Sequence, residues 1–469
     1  MANPRSAVTT FDQGAIAHLR SQLRGTLLLP ADPEYQDARS LWNGMIDRHP
    51  AVIARCRDVA DVATCVNFAR AHQLPVSIKC GGHNISGLAM CEGGIAIDLS
   101  LQRGVRVDTA ARRAYVQGGC LLGDVDRATQ QHGLAAVLGF VSLTGAVGLT
   151  LGGGFGYLTR RFGWSSDQLC SVEMVTADGR VTRASETENA DLFWGVRGGG
   201  GNFGVATELE YQLHPVGPEV LGGAIAWPMT EAPAVLELHR RIIENAPPEL
   251  TCVAALRPAP PAPWLAPRIH GQPIVALFVC WTGELAEGEA IVQPIKNFGK
   301  PVGDVVQRRS YVSQQSLLDA TQPKGRRYYW KSEFLPGLSA ELHQSLLEHA
   351  QHFASPHSAL IAFPVDGAVQ RFPPDYTAAG NRDARLMLGV AASWESAAGD
   401  AANIQWARAA WQDMRRFSTG GTYVNFLTEE EGGDRIAAAY GDNYARLARV
   451  KRRWDPDNLF RVNKNILPE

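Results

Sequence analysis

The spacing of apolar and polar positions predicts a mixed chain of strands and helices whose pattern changes near residue 215. Over residues 61–72, Val62, Cys65, Val66 and Ala69 share one face, as in an amphipathic helix. Apolar runs next to turn residues predict further short strands in this half. The predicted strands lie at 52–55, 75–79, 94–99, 114–117, 171–177, 180–183 and 207–214, with another helix at 122–132. Residues 1–45 are predicted to form a helical lead-in with a loop around Pro30 and Pro33.

After the prolines at 215–218, separated strands alternate with longer helical periods. The strands are predicted at 221–227, 274–281, 328–334, 359–363 and 386–394, and the helices at 234–246, 339–354 and 401–416. This order predicts a largely antiparallel sheet backed by helices. The proline-rich segment 257–273 predicts an exposed loop, suited to a rim or lid. The tail from Tyr423 to Glu469 is predicted to contain one long helix and is too short to fold alone, so we expect it to pack on an earlier domain.

Composition excludes several classes of protein. Charged residues make up 20% of the 469 residues and the net charge is -2, without the basic stripe expected of a nucleic-acid-binding protein. No apolar run approaches the ~20 residues of a membrane helix, and the first residues lack the apolar core of a secretory signal. The eight cysteines have neither zinc-ligand nor disulfide-framework spacing. We therefore expect a cytoplasmic protein with reduced cysteines and no metal site.

Glycine clusters at 81–82, 152–156 and 198–204 suggest a large phosphate-containing ligand. Glycine allows positive φ and close backbone approach, so that successive N–H groups can hold a pyrophosphate. A Rossmann fingerprint does not fit, because the segment 154–159 ends in threonine and the next acidic residue, Asp167, follows too soon. No Walker sequence is present either. The clusters favour a dinucleotide bound in another fold.

His83 follows two glycines on a turn after a predicted strand. A lone histidine in such a loop is most often an ordinary hydrogen-bonded residue. A neutral imidazole can, however, attack the 8-methyl carbon of an oxidised flavin, and an ordinary histidine pKa of about 6.5 leaves enough neutral base. His83 is therefore a candidate for covalent flavin attachment, which would make the flavin a stronger oxidant.

Several ordered motifs resemble one family, the berberine-bridge-enzyme-like branch of the vanillyl-alcohol-oxidase flavoproteins. The resemblance covers essentially the whole chain and is strongest over 45–215 and 420–469. Its glycine-rich region is most similar to bacterial members that tailor polyketides and other natural products. The motifs are KCGGHNISG (79–87), LGGGFGYLTRRFGWSSDQL (151–169), DLFWGVRGGGGNFGVAT (191–207), YVNF (423–426) and DPDNLFRVNKNI (455–466).

The resemblance implies an α+β fold with a PCMH-type FAD-binding domain of two α+β subdomains. This domain would span residues 1–216, with its core at about 46–215, and the segment 421–469 would return to it. A substrate domain with an antiparallel sheet backed by helices would span 217–420. The substrate would lie between that sheet and the isoalloxazine ring.

The resemblance also implies the FAD contacts. Many family members have a second flavin bond from a cysteine eleven positions before the GGG, but Val141 stands there, so we predict a single 8α-histidyl bond at His83. Thr144 occupies the position that controls oxygen access, and its small side chain is compatible with O2. The implied cofactor-binding residues are Lys79, Cys80, Gly81, Gly82, His83, Asn84, Gly87, Gly119, Thr144, Gly145, Gly148, Leu149, Gly154, Gly156, Asp167, Gly204, Val205, Asn425 and Asn463.

The catalytic base is less clearly indicated, because Phe162 and Phe426 replace family tyrosines and Asn84 replaces a serine. Tyr423 is the first candidate, on the expectation that a strand places it on one face with Asn425. Ordinary packing against the flavin edge is the alternative.

Tyr329 and Lys331, with Glu333, share a face of a predicted strand and are second candidates. A surface lysine beside a half-buried tyrosine is the alternative. The strand-ending tryptophans Trp227, Trp281 and Trp394 are expected to pack in the core.

These features predict an oxidase that moves hydride from a C–H carbon of a small alcohol, phenol or polyketide-like substrate to flavin, with O2 as acceptor. Three alternatives stay open: a flavin-N5-oxide oxygenase of natural-product biosynthesis, a dehydrogenase of the same fold, and a non-catalytic flavoprotein that sequesters a drug-like molecule. Oligomeric state is not indicated.

Overall fold

A four-stranded sheet forms the first structural layer of the computed structural model, which describes residues 13–469. The strand order is β1-β2-β4-β3, with β1 antiparallel and the other pairs parallel. Buried apolar residues of α3, including Val62 and Val66, pack on this sheet. Its elements are α1 (Gln13–Gln22), β1 (Thr26–Leu28), α2 (Tyr35–Arg39), β2 (Val52–Arg55), α3 (Val59–Ala71), β3 (Val76–Lys79) and β4 (Ile95–Asp98).

A second, five-stranded sheet is antiparallel throughout, in the order β5-β6-β10-β8-β9. Leu192, Phe193 and Trp194 of α7 belong to the hydrophobic core on this sheet. Its elements, with the separate pair β7 and β11, are β5 (Val105–Asp108), β6 (Arg113–Gln117), α4 (Leu122–Gln130), β7 (Leu134–Ala135), α5 (Ala146–Leu151), α6 (Thr159–Phe162), β8 (Leu169–Thr176), β9 (Val181–Ser185), α7 (Ala190–Val196), β10 (Gly204–Gln212) and β11 (His214–Pro215).

An eight-stranded antiparallel sheet follows, in the order β15-β12-β14-β13-β18-β19-β17, with β16 also on β12. Helices cover one face, where Trp227, Trp281 and Trp394 lie buried in the core as expected. The elements are β12 (Glu219–Pro228), α8 (Ala232–Asn245), β13 (Leu250–Pro258), β14 (Pro273–Trp281), α9 (Leu285–Lys296), β15 (Gly303–Asp304), β16 (Gln307–Ser310), α10 (Tyr311–Gln315), β17 (Arg327–Leu335), α11 (Ala340–Ala350), β18 (Ala359–Pro364), β19 (Leu386–Trp394) and α12 (Asp400–Met414).

The C-terminal tail contains two helices, α13 (Gly433–Tyr440) and α14 (Tyr444–Trp454), where one was predicted. It packs back on the five-stranded sheet through Leu447 and Ala448. The fully buried Lys451 Nζ donates to the Asn202 carbonyl at 2.8 Å and to Asp455 Oδ2 at 2.6 Å. The expected docking of the tail is therefore present, and a buried ion pair helps to fix it.

The proline-rich segment 257–273 forms a loop over residues 259–272, as predicted, and most of these residues are half-buried or exposed. The segment begins inside β13, and its loop buries Ala259 and Leu265 against Ile274. The loop therefore packs on the sheet through these two apolar side chains, while most of its other residues stay accessible to solvent. The predictions missed the strands β5 and β13 and the helix α9. The predicted helical lead-in is described only from residue 13, where α1 begins.

Residues 13–469 contain neither a membrane-spanning helix nor a cluster of metal-binding side chains. Within that range, no helix is long and apolar enough to cross a membrane. Nor does that part of the chain hold a group of three or more His, Cys, Asp or Glu side chains placed to bind a metal ion.

Candidate active site

A cavity of about 330 Å³ opens where the three sheets and the tail meet. One side is built from backbone-rich loops that include 80–84, 144–149 and 200–204. The other side is aromatic and comes from the eight-stranded sheet, from Phe140 and Phe155, and from the tail. The main aromatic residues of that wall are Phe140, Phe155, Trp330, Phe363 and Phe426.

His83 lies in the cavity wall, on the loop directly after β3. Its ring stacks on Trp42, with centroids 5.0 Å apart, and its Nδ1 is 3.5 Å from Thr144 Oγ1. Burial lowers the pKa of His83 to about 4, because no anionic group offsets the loss of water around the imidazolium. The imidazole is therefore neutral at physiological pH, with a nitrogen lone pair available to form a bond.

Glycines hold part of the cavity open. A side chain built at Gly148 or at Gly201 would meet no atom within 4 Å, and both positions line the cavity. The tail contributes Asn463, whose Nδ2 donates to the Gly201 carbonyl at 3.1 Å while its buried Oδ1 has no hydrogen-bond partner. Open glycine positions and an unpaired amide oxygen fit a ligand that approaches the backbone closely and offers hydrogen-bond donors. The residues present therefore fit an FAD molecule.

Tyr423 and Asn425 both line the cavity and contact each other directly. Asn425 Nδ2 donates to Tyr423 Oη at 2.8 Å and to the Leu149 carbonyl at 3.1 Å. The expectation that a strand aligns them is wrong, because Tyr423 precedes a 3₁₀ turn at Val424–Phe426. Burial raises the pKa of Tyr423 above its ordinary value, so the phenol keeps its proton.

Most of the predicted cofactor residues reach the cavity. Its lining includes the glycine-histidine loop, the start of α5, the beginning of β10 and two asparagines of the tail. The predicted residues found there are Cys80, Gly81, Gly82, His83, Asn84, Thr144, Gly145, Gly148, Leu149, Gly204, Asn425 and Asn463, together with Tyr423. Val141, which stands where a second attachment cysteine would be, also lines it.

Lys79, Asp167 and Val205 lie outside the cavity lining. Strand alternation turns Lys79 away, so that Nζ donates to the Ala38 carbonyl at 2.7 Å, while Ile78 faces the cavity. The same alternation in β10 buries Val205 in the core. Asp167 forms a fully buried ion pair with Arg382 at 2.6 Å.

Four predicted glycines act in packing instead of lining the cavity. A side chain at Gly119 would collide with the Leu99 carbonyl, and one at Gly156 with the Leu138 carbonyl. Gly87 faces Ile46, and Gly154 faces Ser165 and Leu149. Close contacts with neighbouring atoms, which leave no room for a side chain, explain why glycine stands at these motif positions.

Tyr329, Lys331 and Glu333 share a strand face as predicted, but that face points away from the cavity. Tyr329 packs in the core between the sheet and its helices. Lys331 Nζ donates to Thr428 Oγ1 at 2.6 Å and pairs with Glu430 at 3.0 Å. Trp330, on the opposite face, is the residue of this strand that lines the cavity. The structure thus does not bring Tyr329 and Lys331 to the site.

Sequence reasoning missed the aromatic wall and Trp42. Phe140 and Phe155 pack edge to face at 5.9 Å, and Phe155 packs edge to face on Tyr423 at 4.9 Å. Alternation along each strand could have placed Trp330 and Phe363 in the cavity wall only if it were known which face of the sheet borders the cavity. Within residues 13–469, no aspartate or glutamate lines the cavity, and Lys464 is its one lysine.

Comparisons with known proteins agree with this site. A family model described as an FAD binding domain matches residues 50–185, and one described as berberine and berberine like matches residues 422–467. (R)-6-hydroxynicotine oxidase from Paenarthrobacter nicotinovorans is 32% identical over 461 residues, which cover 95% of this chain and 97% of that protein. An FAD-linked oxidoreductase from Dictyostelium discoideum is 28% identical and covers 95% of both chains.

Solved structures give the same relationship. The crystal structure of 6-hydroxy-D-nicotine oxidase from Arthrobacter nicotinovorans matches with a TM-score of 0.85 and 30% identity, over 95% of this chain and 98% of that one. BBE-like 1 from Physcomitrella patens matches with a TM-score of 0.86 at 21% identity, over 97% and 99%, a likeness of fold. The α+β fold with a PCMH-type FAD-binding architecture is confirmed. The chain therefore belongs to the berberine-bridge-enzyme-like FAD-linked oxidoreductases.

Proposed function

We propose that this protein is an oxidase that carries FAD on a single covalent bond to His83 and oxidises a C–H carbon next to nitrogen or oxygen in a small aromatic substrate. The observation that carries the proposal is a neutral, buried His83 in a cavity whose opposite wall is aromatic. Residues 1–216 and 421–469 hold the cofactor in this proposal, and residues 217–420 form the substrate side.

The backbone-rich side of the cavity would hold the cofactor. Gly148 and Gly201 leave room for close approach, and Asn463 offers an unpaired amide oxygen. When bound there, FAD supplies a two-electron acceptor for hydride. His83 would bond through a ring nitrogen to the flavin 8α carbon, and Val141 leaves no thiol for a second bond.

Tyr423 is proposed to position the substrate instead of acting as a general base. Its raised pKa makes the phenolate costly at neutral pH. Because Asn425 already donates to the Tyr423 oxygen, the Tyr423 hydroxyl is free to donate to a substrate nitrogen or oxygen. The absence of a carboxylate from the cavity lining within residues 13–469 suits substrates such as neutral amines, whose oxidation needs no strong base.

The substrate class follows from the aromatic wall. Flat apolar rings pack well against Phe140, Phe155, Trp330 and Phe363, whereas a sugar would leave hydroxyl groups unpaired there. The relative is named for 6-hydroxynicotine, in which an aliphatic amine is attached to an aromatic ring, and this name supports such amines beside the alcohols, phenols and polyketide-like molecules expected from the motifs. A role in natural-product tailoring and a cytoplasmic location stay predictions.

Oxygen is proposed as the acceptor because Thr144 is small and lies beside His83. A dehydrogenase, an N5-oxide oxygenase and a sequestering protein are the competing functions. The test is oxygen uptake and peroxide release by the holoenzyme with a panel of aromatic amines, benzylic alcohols and phenolic polyketides. One peroxide released per O2 consumed supports the oxidase.

The same panel identifies each competitor. Anaerobic bleaching of the flavin without oxygen uptake would indicate a dehydrogenase. Incorporation of ¹⁸O into product would indicate an oxygenase, and tight binding without bleaching would indicate sequestration.

A further inference from the structure

A side pocket of about 50 Å³ extends from the cavity over the cavity-facing side of the eight-stranded sheet. The residues shared by both linings are Phe140, Leu318, Gln322, Trp330, Ile361 and Phe363. A ligand in the main cavity can therefore extend into the side pocket without leaving the aromatic wall.

Small residues in the sheet create this pocket. Ala359 pairs with Ala391, and Ala391 pairs with Trp330 on the next strand. Ala255 pairs with Ile361 on the adjacent antiparallel strand. Two residues further along this pairing, Arg257 lies beside Ala359. Arg257 and Trp330 thus stand at the two ends of a row with two alanines between them. Three strand spacings make that row roughly 14 Å wide.

Arg257 has no carboxylate partner among the described residues. Its Nε donates to the Pro258 carbonyl at 3.2 Å. Glu395 pairs instead with Arg326 at 2.8 Å and with the pocket residue His357 at 3.2 Å. Burial and the charge of Arg326 lower the pKa of Arg257 to about 10, which leaves it charged at neutral pH. The pocket therefore contains an uncompensated positive charge.

Other polar groups in the pocket lining also lack partners. The Ser393 hydroxyl, on a side chain only 4% exposed, and the Trp330 indole N–H make no hydrogen bond. The Gln322 Oε1 is unpaired as well, and rotation of its carboxamide would present the NH2 group instead. Buried polar groups are nearly always paired in folded proteins, so these unpaired groups around one pocket fit a polar ligand there.

We propose that this side pocket binds the carboxylate of the substrate, with Arg257 as the main contact and Ser393 and Trp330 as additional donors. The proposal rests on the proposed function, because it deepens the substrate class of the same site. The substrate is then an aromatic amine or alcohol with a carboxylate at the end remote from the oxidised carbon. A guanidinium binds a carboxylate through two parallel hydrogen bonds, which fixes orientation as well as affinity.

The test measures binding of ω-phenylalkanoates, from phenylacetate to 6-phenylhexanoate, and of their neutral amides to the holoenzyme. Calorimetry and the flavin difference spectrum give the Kd values. We expect one chain length at which the acid binds about tenfold or more tighter than its amide. Arg257→Gln should remove this preference with little change in the amide Kd, and Arg257→Lys should keep part of it.

Arg308→Gln is the matched control, since Arg308 is an exposed arginine of the same sheet paired with Glu289. Equal binding of acid and amide at every length, or an acid preference that survives Arg257→Gln, would overturn the inference. Calorimetry needs no turnover, so the two proposals can fail separately. An inactive protein that prefers acids through Arg257 keeps the subsite and refutes the oxidase, whereas an active oxidase without the preference refutes only the subsite.

Discussion

Substitutions in the buried Asp167–Arg382 ion pair distinguish a structural role of Asp167 from a role in cofactor binding. Asp167 lies in a motif that resembles a flavin-binding segment, yet its side chain is fully buried and contacts Arg382 at 2.6 and 3.0 Å and the Trp164 N–H at 2.8 Å. Arg382 is 2% exposed and also donates to Thr377. Asp167 therefore joins the segment 164–168 to the loop before β19.

Asp167→Asn should lower the free energy of unfolding by about 3–5 kcal/mol, because it leaves the Arg382 charge buried without its counterion. Replacing both residues, as Asp167→Leu with Arg382→Met, should cost much less than either single change, since no charge then stays buried. Glu289→Gln, which removes a partner from the exposed pair with Arg308, is the control and should cost under about 1 kcal/mol.

Urea unfolding followed by tryptophan fluorescence measures these costs, and flavin absorbance of the folded protein measures cofactor content. The account predicts a large loss of stability with unchanged flavin per folded molecule. An Asp167→Asn protein with wild-type stability but little flavin would refute this reasoning and restore Asp167 as a cofactor contact.

Three further predictions concern the site and its surroundings. Tyr423→Phe should slow flavin reduction by about 10²-fold with a smaller change in substrate Kd, because a positioned donor is lost; stopped-flow reduction at an unchanged rate would contradict the positioning role. Burial raises the pKa of Asp126 to about 7, above that of an unfolded aspartate, so the folded state binds more protons between about pH 4 and 7 and stability falls as pH rises through that range. Asp126→Asn should remove this loss, and melting curves that keep the wild-type slope with pH would show that Asp126 does not titrate there. Val141→Cys should add a second covalent flavin link, because Val141 and His83 line the same cavity; a peptide map with flavin on His83 alone would count against that placement.

Apolar periodicity predicted strands well where a strand lies between two other strands of its sheet and its side chains are buried. The strands Val52–Arg55 and Leu386–Trp394 have the predicted bounds, because all their residues except Arg55 are buried. The strand Leu250–Pro258 was missed because Pro247 and Pro248 precede it and the proline-rich loop begins at its last residue, Pro258. Arg257, which we assign to substrate recognition, was thus placed in a loop.

Alternation indicates which residues share a strand face but not which face borders a site. Tyr329 and Lys331 were grouped correctly, yet their face meets α12 and the tail, while Trp330 between them lines the cavity. Their partner Glu430 lies about a hundred residues away in sequence, at a separation that local patterns do not encode. Motif resemblance placed His83 and the glycine loops in one cavity because those motifs form the cavity itself.

The proposed covalent bond between FAD and His83 is tested most directly by a peptide mass map of the acid-precipitated protein, read together with its visible spectrum. The account predicts yellow protein after acid, with one FAD mass on the peptide that contains His83 and none on the peptide that contains Val141. His132→Ala, which changes an exposed histidine, should leave this result unchanged, and His83→Ala should abolish it. Flavin released freely by acid from the unaltered protein, or found on another residue, would contradict the account.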